Sequence, residues 1–237
     1  MYKMIILLYK VNRYERHGAC RSFFIKESIL SRFLIDYYNN LHQKGLEKIN
    51  SGDITPFIVH KKMKEDLIVA DMIDVDDQRW NQILNQLIQM ESPGFSFFLV
   101  NRDFPAHVTI QVSEGGMRAQ SSLKQNAERM YFISFNRMIL DPAGNILLVS
   151  ESIPQLISKW RELASLIMKS YGGEPVPIQI LHSTFARFTQ AQSLTDDERK
   201  YLVKFVDDWN SSFQRSPIGI HTKSVFVGTV YDLLKSK

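Results

Sequence analysis

Two four-residue segments of the chain repeat one pattern: a histidine, any residue, a threonine and an apolar residue. They are His107–Ile110, which reads His-Val-Thr-Ile, and His182–Phe185, which reads His-Ser-Thr-Phe. Both lie in runs rich in β-forming residues, and residues i and i+2 of a strand point to the same face. Each histidine should therefore share a face with its threonine. Two such strands side by side would place two imidazoles and two hydroxyls around one anion-sized space.

The faces of the first motif strand separate completely by polarity. Strict alternation puts His107, Thr109 and Gln111 on one side, and the apolar residues between them on the other. The first side is predicted to be a polar row and the second to be buried. Gln111 is therefore a candidate for substrate contact, on face geometry alone.

The second motif strand separates less cleanly. His182, Thr184 and Ala186 share one predicted face, whereas Arg187 falls on the opposite face. Strict alternation therefore predicts that Arg187 is a surface residue or a residue that packs one lobe against another.

The composition is that of an ordinary soluble globular chain and leaves several classes of function open. Of 237 residues, 44% are hydrophobic and 23% are charged. The net charge of +4 is compatible with a phosphorylated or nucleic-acid substrate without requiring one. Cys20 stands alone, which excludes an intrachain disulfide and a CxxC zinc site and favours a reducing compartment. The apolar run Met4–Val11 is too short to cross a membrane and is predicted to be a strand. We expect a cytoplasmic protein with no membrane partner.

Helical periodicity and strand-like runs alternate along the chain. Gly45 is predicted to break or kink the first helix, Leu67–Ile73 is ambiguous between strand and helix, and Ser113–Arg129 is predicted to be a loop, partly helical near its end. Helices are predicted over Glu27–Asn50, Gln78–Met90, Ile153–Tyr171 and from the capping box Thr195–Glu198 to about Ser211. Strands are predicted over Phe95–Val100, His107–Val112, Tyr131–Ile139, Asn145–Ser150, Ile178–Phe188, Pro217–His221 and Ser224–Leu233, with a hairpin turn at Asp141–Gly144.

These elements predict an α+β class. We expect one domain over residues 1–237. In it, residues 1–94 form an N-terminal extension of a strand and helices that packs on a core of residues 95–237, and that core carries both motifs.

The paired motifs resemble the signature of the two-histidine (2H) phosphodiesterase superfamily, which is His, any residue, Thr or Ser, then an apolar residue, twice. Both copies match it fully. The superfamily includes RNA 2′,5′-ligase-like proteins, cyclic nucleotide phosphodiesterases of tRNA splicing and 2′,5′-oligoadenylate phosphodiesterases. The resemblance covers roughly residues 95–237 and departs at the N-terminus, where the family's first motif usually comes much earlier.

The resemblance implies a bilobal fold, with two pseudo-symmetric lobes of antiparallel sheet and helices around a central cleft. It implies a metal-independent hydrolase acting on a 2′,3′-cyclic phosphate or a 2′,5′-phosphodiester, with no cofactor. His107 and His182 would be general acid and base in an order left open, and Thr109 and Thr184 would bind the phosphate oxygens. The partner would be a nucleotide or an RNA end, with no DNA expected. The alternatives are a nucleotide- or RNA-binding module of the same fold with little turnover, and an interaction protein in which the motifs are coincidental.

Other candidates are weaker by residue type and context. Four aromatic residues could stack on a base but are more typical of a core: Phe104, Tyr131, Phe135 and Phe188. The remaining histidines are interpreted as surface or structural, and no metal site is predicted, because neither an HExxH motif nor an acidic cluster with a histidine partner occurs. The acidic residues Asp74, Asp76 and Asp77 are interpreted as solvated or as a cap for the following helix.

Overall fold

The computed structural model describes residues 19–54, 56–58, 61–92, 95–127, 132–178, 180–190 and 194–235. The predicted strand Met4–Val11 and the predicted aromatic candidate Tyr131 lie outside the described residues. The helices are α1 (Ala19–Ser51), α2 (Gln78–Met90), α3 (Gln120–Asn126), α4 (Gln155–Ser170), α5 (Asp196–Arg215) and α6 (Val230–Lys235), with short 3-10 turns at Lys61–Lys64 and Met117–Ala119. The strands are β1 (Asp66–Asp74), β2 (Ser96–Leu99), β3 (His107–Glu114), β4 (Phe132–Phe135), β5 (Arg137–Leu140), β6 (Asn145–Ser150), β7 (Glu174–Val176), β8 (Leu181–Gln190) and β9 (Ile218–Thr229).

Two antiparallel sheets organise these strands, which confirms the α+β class. One has five strands in the order β4-β9-β1-β3-β7, and the other has four in the order β2-β8-β6-β5. The motif strands β3 and β8 belong to different sheets, so each sheet contributes one His-x-Thr segment. Strand β1, from the first ninety residues, lies between β9 and β3 in the middle of the larger sheet.

The segment Leu67–Ile73, which periodicity leaves ambiguous, is a strand that is buried on both faces. Five consecutive residues of β1, Leu67 to Asp71, are buried. A central strand covered on both sides has a continuous apolar run instead of an alternating one, and such a run cannot be distinguished from a buried helix by periodicity.

Three of the predicted strands are wrong in extent. The segment Tyr131–Ile139 is divided at Asn136 between the sheets, because β4 pairs with β9 whereas β5 pairs with β6. The two strands predicted after Pro217 are one strand, β9, which continues through a register irregularity near Thr222 and ends at Thr229. Beyond it Val230–Lys235 is helical, and the hydroxyl of Thr229 accepts a hydrogen bond from the amide of Asp232 at 2.9 Å.

Gly45 does not break helix α1, contrary to the prediction. The helix continues from Ala19 to Ser51, and at Gly45 it lies directly against the sheet. A Cβ atom built on Gly45 would lie 2.3 Å from the carbonyl oxygen of Leu140 on β5. The glycine therefore permits close approach of helix to strand, which a sequence cannot distinguish from a helix-breaking role.

The helix caps agree with the sequence patterns. Asp77 is the N-cap of α2 and accepts a hydrogen bond from the amide of Arg79. Thr195 and Glu198 form the predicted capping box at the start of α5.

The main core occupies one face of both sheets, and helices α2, α4 and α5 contribute to it. On the opposite face of the smaller sheet, Leu34 and Tyr38 of α1 pack against Leu147 and Val149 of β6. On the opposite face of the larger sheet, Leu233 of α6 packs against β1. Each of these faces is thus partly covered by one helix, and the motif strands lie beside the covered areas.

Candidate active site

Both motif strands carry the same irregularity at the same place. On β3, Thr109 is the register partner of Ala70 and Gln111 that of Val69, so Ile110 has no partner on β1. On β8, Thr184 is the register partner of Leu147 and Ala186 that of Ile146, so Phe185 has no partner on β6. Each strand therefore has a one-residue β-bulge immediately after the motif threonine. A bulge inserts an extra residue and reverses the facing of every later side chain.

Before each bulge, the histidine and threonine share the face that the sequence predicts. Thr109 lies opposite Ala70, and His182 and Thr184 lie opposite Val149 and Leu147, which belong to the faces covered by α6 and α1. Residues directly opposite on antiparallel strands point to the same face. The four motif side chains therefore lie on the two sheet faces away from the main core. On each sheet, this face is called the motif face below.

Gln111 is not on that face, so the prediction from strict alternation that it shares the face of His107 and Thr109 is wrong. The bulge at Ile110 turns Gln111 to the core side, where it is 4% exposed and lies opposite the core residue Val69. Its amide nitrogen donates to the carbonyl of Val112 at 3.0 Å and to that of Val176 at 2.6 Å. Gln111 thus joins β3 to the edge strand β7, and Val112 takes its place on the motif face.

Arg187 is on the motif face, which also corrects the prediction from strict alternation. Because Phe185 is the extra residue on β8, Arg187 follows His182 and Thr184 on the same side of the sheet. Its guanidinium lies 4.5 Å from the ring centroid of Phe57, within the range of a cation–π contact. Among the described residues no carboxylate forms an ion pair with it, and its Nε is buried without a hydrogen-bond partner. Burial lowers the pKa of Arg187 to about 10, with Asp141 opposing the shift, so the group remains a cation at neutral pH.

A cavity of about 470 Å³ is lined by His107 and Thr109 of β3 and by Arg187 of β8, but not by His182 or Thr184. The rest of its lining is mostly apolar and comes from the larger sheet, from α6 and from the 3-10 turn at Lys61–Lys64, with two acidic residues among its members. These residues are Met63, Asp66, Ile68, Val112, Glu114, Val176, Val230, Leu233 and Leu234. An anion held near Arg187 could thus have an apolar group beside it.

His107 has one ring nitrogen committed to the backbone. Its Nδ1 lies 2.9 Å from the carbonyl oxygen of Pro105, and only a protonated nitrogen can donate to a carbonyl. In the neutral ring, Nε2 therefore carries the lone pair. Burial lowers the pKa of His107 to about 4, the Pro105 carbonyl partly offsets that effect, and the charge of Arg187 adds to it.

His182 is in a more cationic setting. Burial lowers its pKa to about 3, and the charges of Arg161, His107 and Arg187 act in the same direction. Its Nδ1 is buried and has no hydrogen-bond partner among the described residues. Charged groups carried by both sheets thus act on His182, with His107 on β3 and Arg187 on β8 among them.

The other histidines and the aromatic candidates in the described part of the chain lie in the core, in backbone hydrogen bonds or at the surface. His42 accepts a hydrogen bond from the amide of Leu140 at 3.2 Å, and His221 is exposed beside the ring of Phe132. Phe104, Phe135 and Phe188 are buried core residues. Within the described residues there is no group of three or more His, Cys, Asp or Glu side chains that could hold a metal ion.

Two buried charges near the motifs were not singled out from the sequence. Arg161 of α4 and Asp71 of β1 are 8% and 1% exposed. A signal for each is present. Arg161 lies among the apolar positions Ile157, Trp160 and Ala164 of an amphipathic helix, and Asp71 interrupts the apolar run of β1. A charged residue at a position where periodicity predicts burial calls for a specific partner.

Comparison with known proteins gives structural similarities only. No family model and no curated protein matches the chain. The solved structure of Usb1 from Kluyveromyces marxianus is similar at a TM-score of 0.40 and 13% identity, covering 70% of this chain and 99% of that one. Usb1 with uridine monophosphate gives 0.40 and 13%, covering 71% and 100%. A structure described as a phosphoesterase gives 0.40 and 15%, covering 55% and 77%. Similarities at these TM-scores and identities assign neither an activity nor a ligand to this chain.

The described helices include no candidate for a membrane span. None of them is both long enough and apolar enough to cross a bilayer.

Proposed function

We propose that this protein is a two-histidine phosphodiesterase that hydrolyses a 2′,3′-cyclic phosphate or a 2′,5′-phosphodiester of a nucleotide or RNA end. The observation that carries the proposal is the matched pair of bulges after Thr109 and Thr184. They bring Arg187 to the face of both histidines, beside a cavity that His107 and Thr109 also line. Two imidazoles, two hydroxyls and one unpaired cation suit a phosphodiester anion in number and charge.

The environments of the two histidines favour different roles. His107 donates from Nδ1 to the Pro105 carbonyl, which stabilises an imidazolium, so we assign it as the general acid that protonates the leaving oxygen. His182 is next to Arg161 and Arg187, whose charges favour its neutral form, so we assign it as the general base. Thr109 and Thr184 donate to the non-bridging oxygens, and Arg187 balances their charge. This mechanism needs no metal ion.

The second candidate is a nucleotide- or RNA-binding module with little turnover. The burial of both imidazoles, which favours their neutral forms without a ligand, supports it as an alternative. The two candidates differ in whether product is formed, because binding needs Arg187 and the hydroxyls whereas turnover also needs both histidines.

The test is an assay of the purified chain in excess chelator on 2′,3′-cyclic mononucleotides, 2′,5′-oligoadenylate and RNA with a cyclic-phosphate end. H107A and H182A should each reduce turnover by about 10²–10⁴-fold, the usual contribution of general acid–base catalysis. H221A, at an exposed histidine outside the site, is the matched control. Activity that requires a divalent metal, or that survives both substitutions, would overturn the mechanism. Binding of uridine monophosphate without turnover of any substrate would favour the binding module.

A further inference from the structure

We infer that Arg161 is a positioning residue, whose guanidinium links the two motif strands and thereby sets the separation of His107 and His182. The kinetic consequence of this inference rests on the proposed function. Its structural consequence does not.

The contacts of Arg161 reach motif strand β3 and the residue that immediately precedes motif strand β8. Its Nε donates to the carbonyl of Ile110 at 3.1 Å, and its Nη2 donates to the carbonyl of Thr109 at 3.1 Å. The same Nη2 donates to the carbonyl of Ile180 at 2.7 Å. The first two acceptors are the motif threonine and the bulged residue of β3, and the third lies two residues before His182.

Ladder hydrogen bonds do not supply a link of this kind. Strands β3 and β8 are in different sheets, so the ladder hydrogen bonds of the described strands fix each motif within its own sheet and not relative to the other. The bulge also interrupts the ladder of β3 at Ile110, so the carbonyls there need other donors. One planar guanidinium with several N–H groups supplies donors in both directions.

The counter-charge of Arg161 supports a positional role. Asp71 is the carboxylate whose pKa the charge of Arg161 lowers, but neither of its oxygens has a hydrogen-bond partner among the described residues. The three hydrogen bonds of Arg161 go to backbone carbonyls. The guanidinium is therefore oriented by backbone carbonyls and not by the carboxyl group of Asp71.

Tyr38 of α1 also holds the start of the second motif strand in place. Its hydroxyl accepts from the amide of Leu181 at 3.3 Å and donates to the carbonyl of Ser150 at 2.8 Å. The start of β8 is thus fixed to β6 and α1 independently of Arg161. Loss of Arg161 should therefore move the two strands relative to each other without releasing β8 from its own sheet.

The test compares R161K and R161M with R137K. Arg137 is a suitable control because it is partly buried, hydrogen-bonds to Asn39 through Nη2 at 2.6 Å and lies on the far edge of the smaller sheet. Lysine keeps the charge but its compact ammonium cannot serve the three carbonyls in the same geometry. R161K is expected to lower kcat by about 10²-fold with little change in KM, the effect of a small misplacement of reacting groups. R137K should leave both constants unchanged.

The pH profile separates positioning from general destabilisation. The charge of Arg161 lowers the pKa of His182, so R161M should shift the acid limb of kcat/KM towards higher pH, whereas R161K should not. Normal kcat and an unshifted profile in folded R161K and R161M would overturn the inference.

A structural measurement keeps the inference separate from the proposed function. If the unmodified protein turns over no substrate, the proposed function fails. The inference is then decided by the distance between the His107 and His182 rings in crystals of R161K and of the unmodified protein. A changed distance supports the positioning role, and an unchanged distance overturns it.

Discussion

Ile110 and Phe185 are equivalent residues in the two sheets: each follows a motif threonine and has no register partner on the paired strand. Their carbonyls are satisfied from outside that ladder. The carbonyl of Ile110 accepts from Arg161, and that of Phe185 accepts from the amide of Val100 at 2.9 Å. The two bulges decide which side chains follow the histidines on the same sheet face, and they do so in the same way on both strands.

Arg187 should contribute to anion binding more than to stability. R187M is expected to weaken the binding of inorganic phosphate and of uridine monophosphate by about 10–100-fold, the range for hydrogen bonds to charged groups. Because Arg187 is a partly buried cation without an ion-pair partner among the described residues, the same variant should unfold at a higher temperature. Calorimetric titration and thermal unfolding measure the two effects, with R215M at the exposed end of α5 as the control. Unchanged anion affinity in R187M would remove Arg187 from the site.

Thr184 should act on the transition state. It is 4% exposed, and valine has nearly the same shape without the hydroxyl. We expect T184V to fold normally and to lower kcat by about 10²-fold or more, the cost of removing one donor to a developing charge. The control is T189V on the same strand, where the hydroxyl lies 2.8 Å from that of Ser96. Equal losses in the two variants would contradict the role of Thr184.

Anion binding should be accompanied by proton uptake. Burial holds the pKa of His107 at about 4 and that of His182 at about 3, so both rings are neutral at pH 6 in the free protein. A bound anion raises the pKa of a neighbouring imidazole, so binding should take up protons and strengthen as the pH falls. Sulfate is the probe, because its charge is constant across this range. Titrations at pH 6 in buffers of different ionisation enthalpy count the protons, and H107A should take up fewer. A count of zero for the unmodified protein would refute this linkage.

Asp71 should make the protein less stable as the pH rises. Burial raises its pKa to about 7, and the charge of Arg161 only partly offsets that shift. Between about pH 4 and pH 7 the folded state then holds a proton that the unfolded chain has lost, so the free energy of unfolding falls across that window and levels off above it.

The D71N variant isolates this contribution from that of the buried histidines. Its stability relative to the unmodified protein should rise through the same window, by several kilocalories per mole at most. Urea denaturation at a series of pH values measures the difference. D74N, at an exposed position of the same strand, is the control. A difference independent of pH would mean that Asp71 titrates normally.

Gly45 should not tolerate a methyl group. In an exposed helix, glycine to alanine stabilises by up to about 1 kcal/mol. Here the new Cβ would meet the carbonyl of Leu140, so G45A should destabilise by about 1–3 kcal/mol, the usual cost of overpacking. Chemical denaturation measures the change, and K44A at the exposed neighbouring position is the control. A stabilised G45A would mean that α1 does not pack against β5 in this way.

Local patterns predicted the elements whose signals are contained within one segment. The capping box at Thr195, the N-cap at Asp77 and the apolar stripe of α4 each depend on residues within a turn or two, so they could be identified before the fold was known. The extent of β9 and the division of a predicted strand at Asn136 could not be identified from the sequence. Pairing with distant strands determines where a strand continues.

For the candidate site, the sequence by itself determined that each motif histidine shares a strand face with its threonine, since a spacing of two residues in a strand is enough to place the pair on one face. Only the tertiary structure decided that Gln111 turns away and Arg187 turns in. A bulge depends on how the partner strands β1 and β6 align, and no spacing within the motif encodes that alignment. The tertiary structure likewise decided that a guanidinium from α4 joins the two motif strands, because a helix can be paired with the carbonyls beneath it only after it has packed.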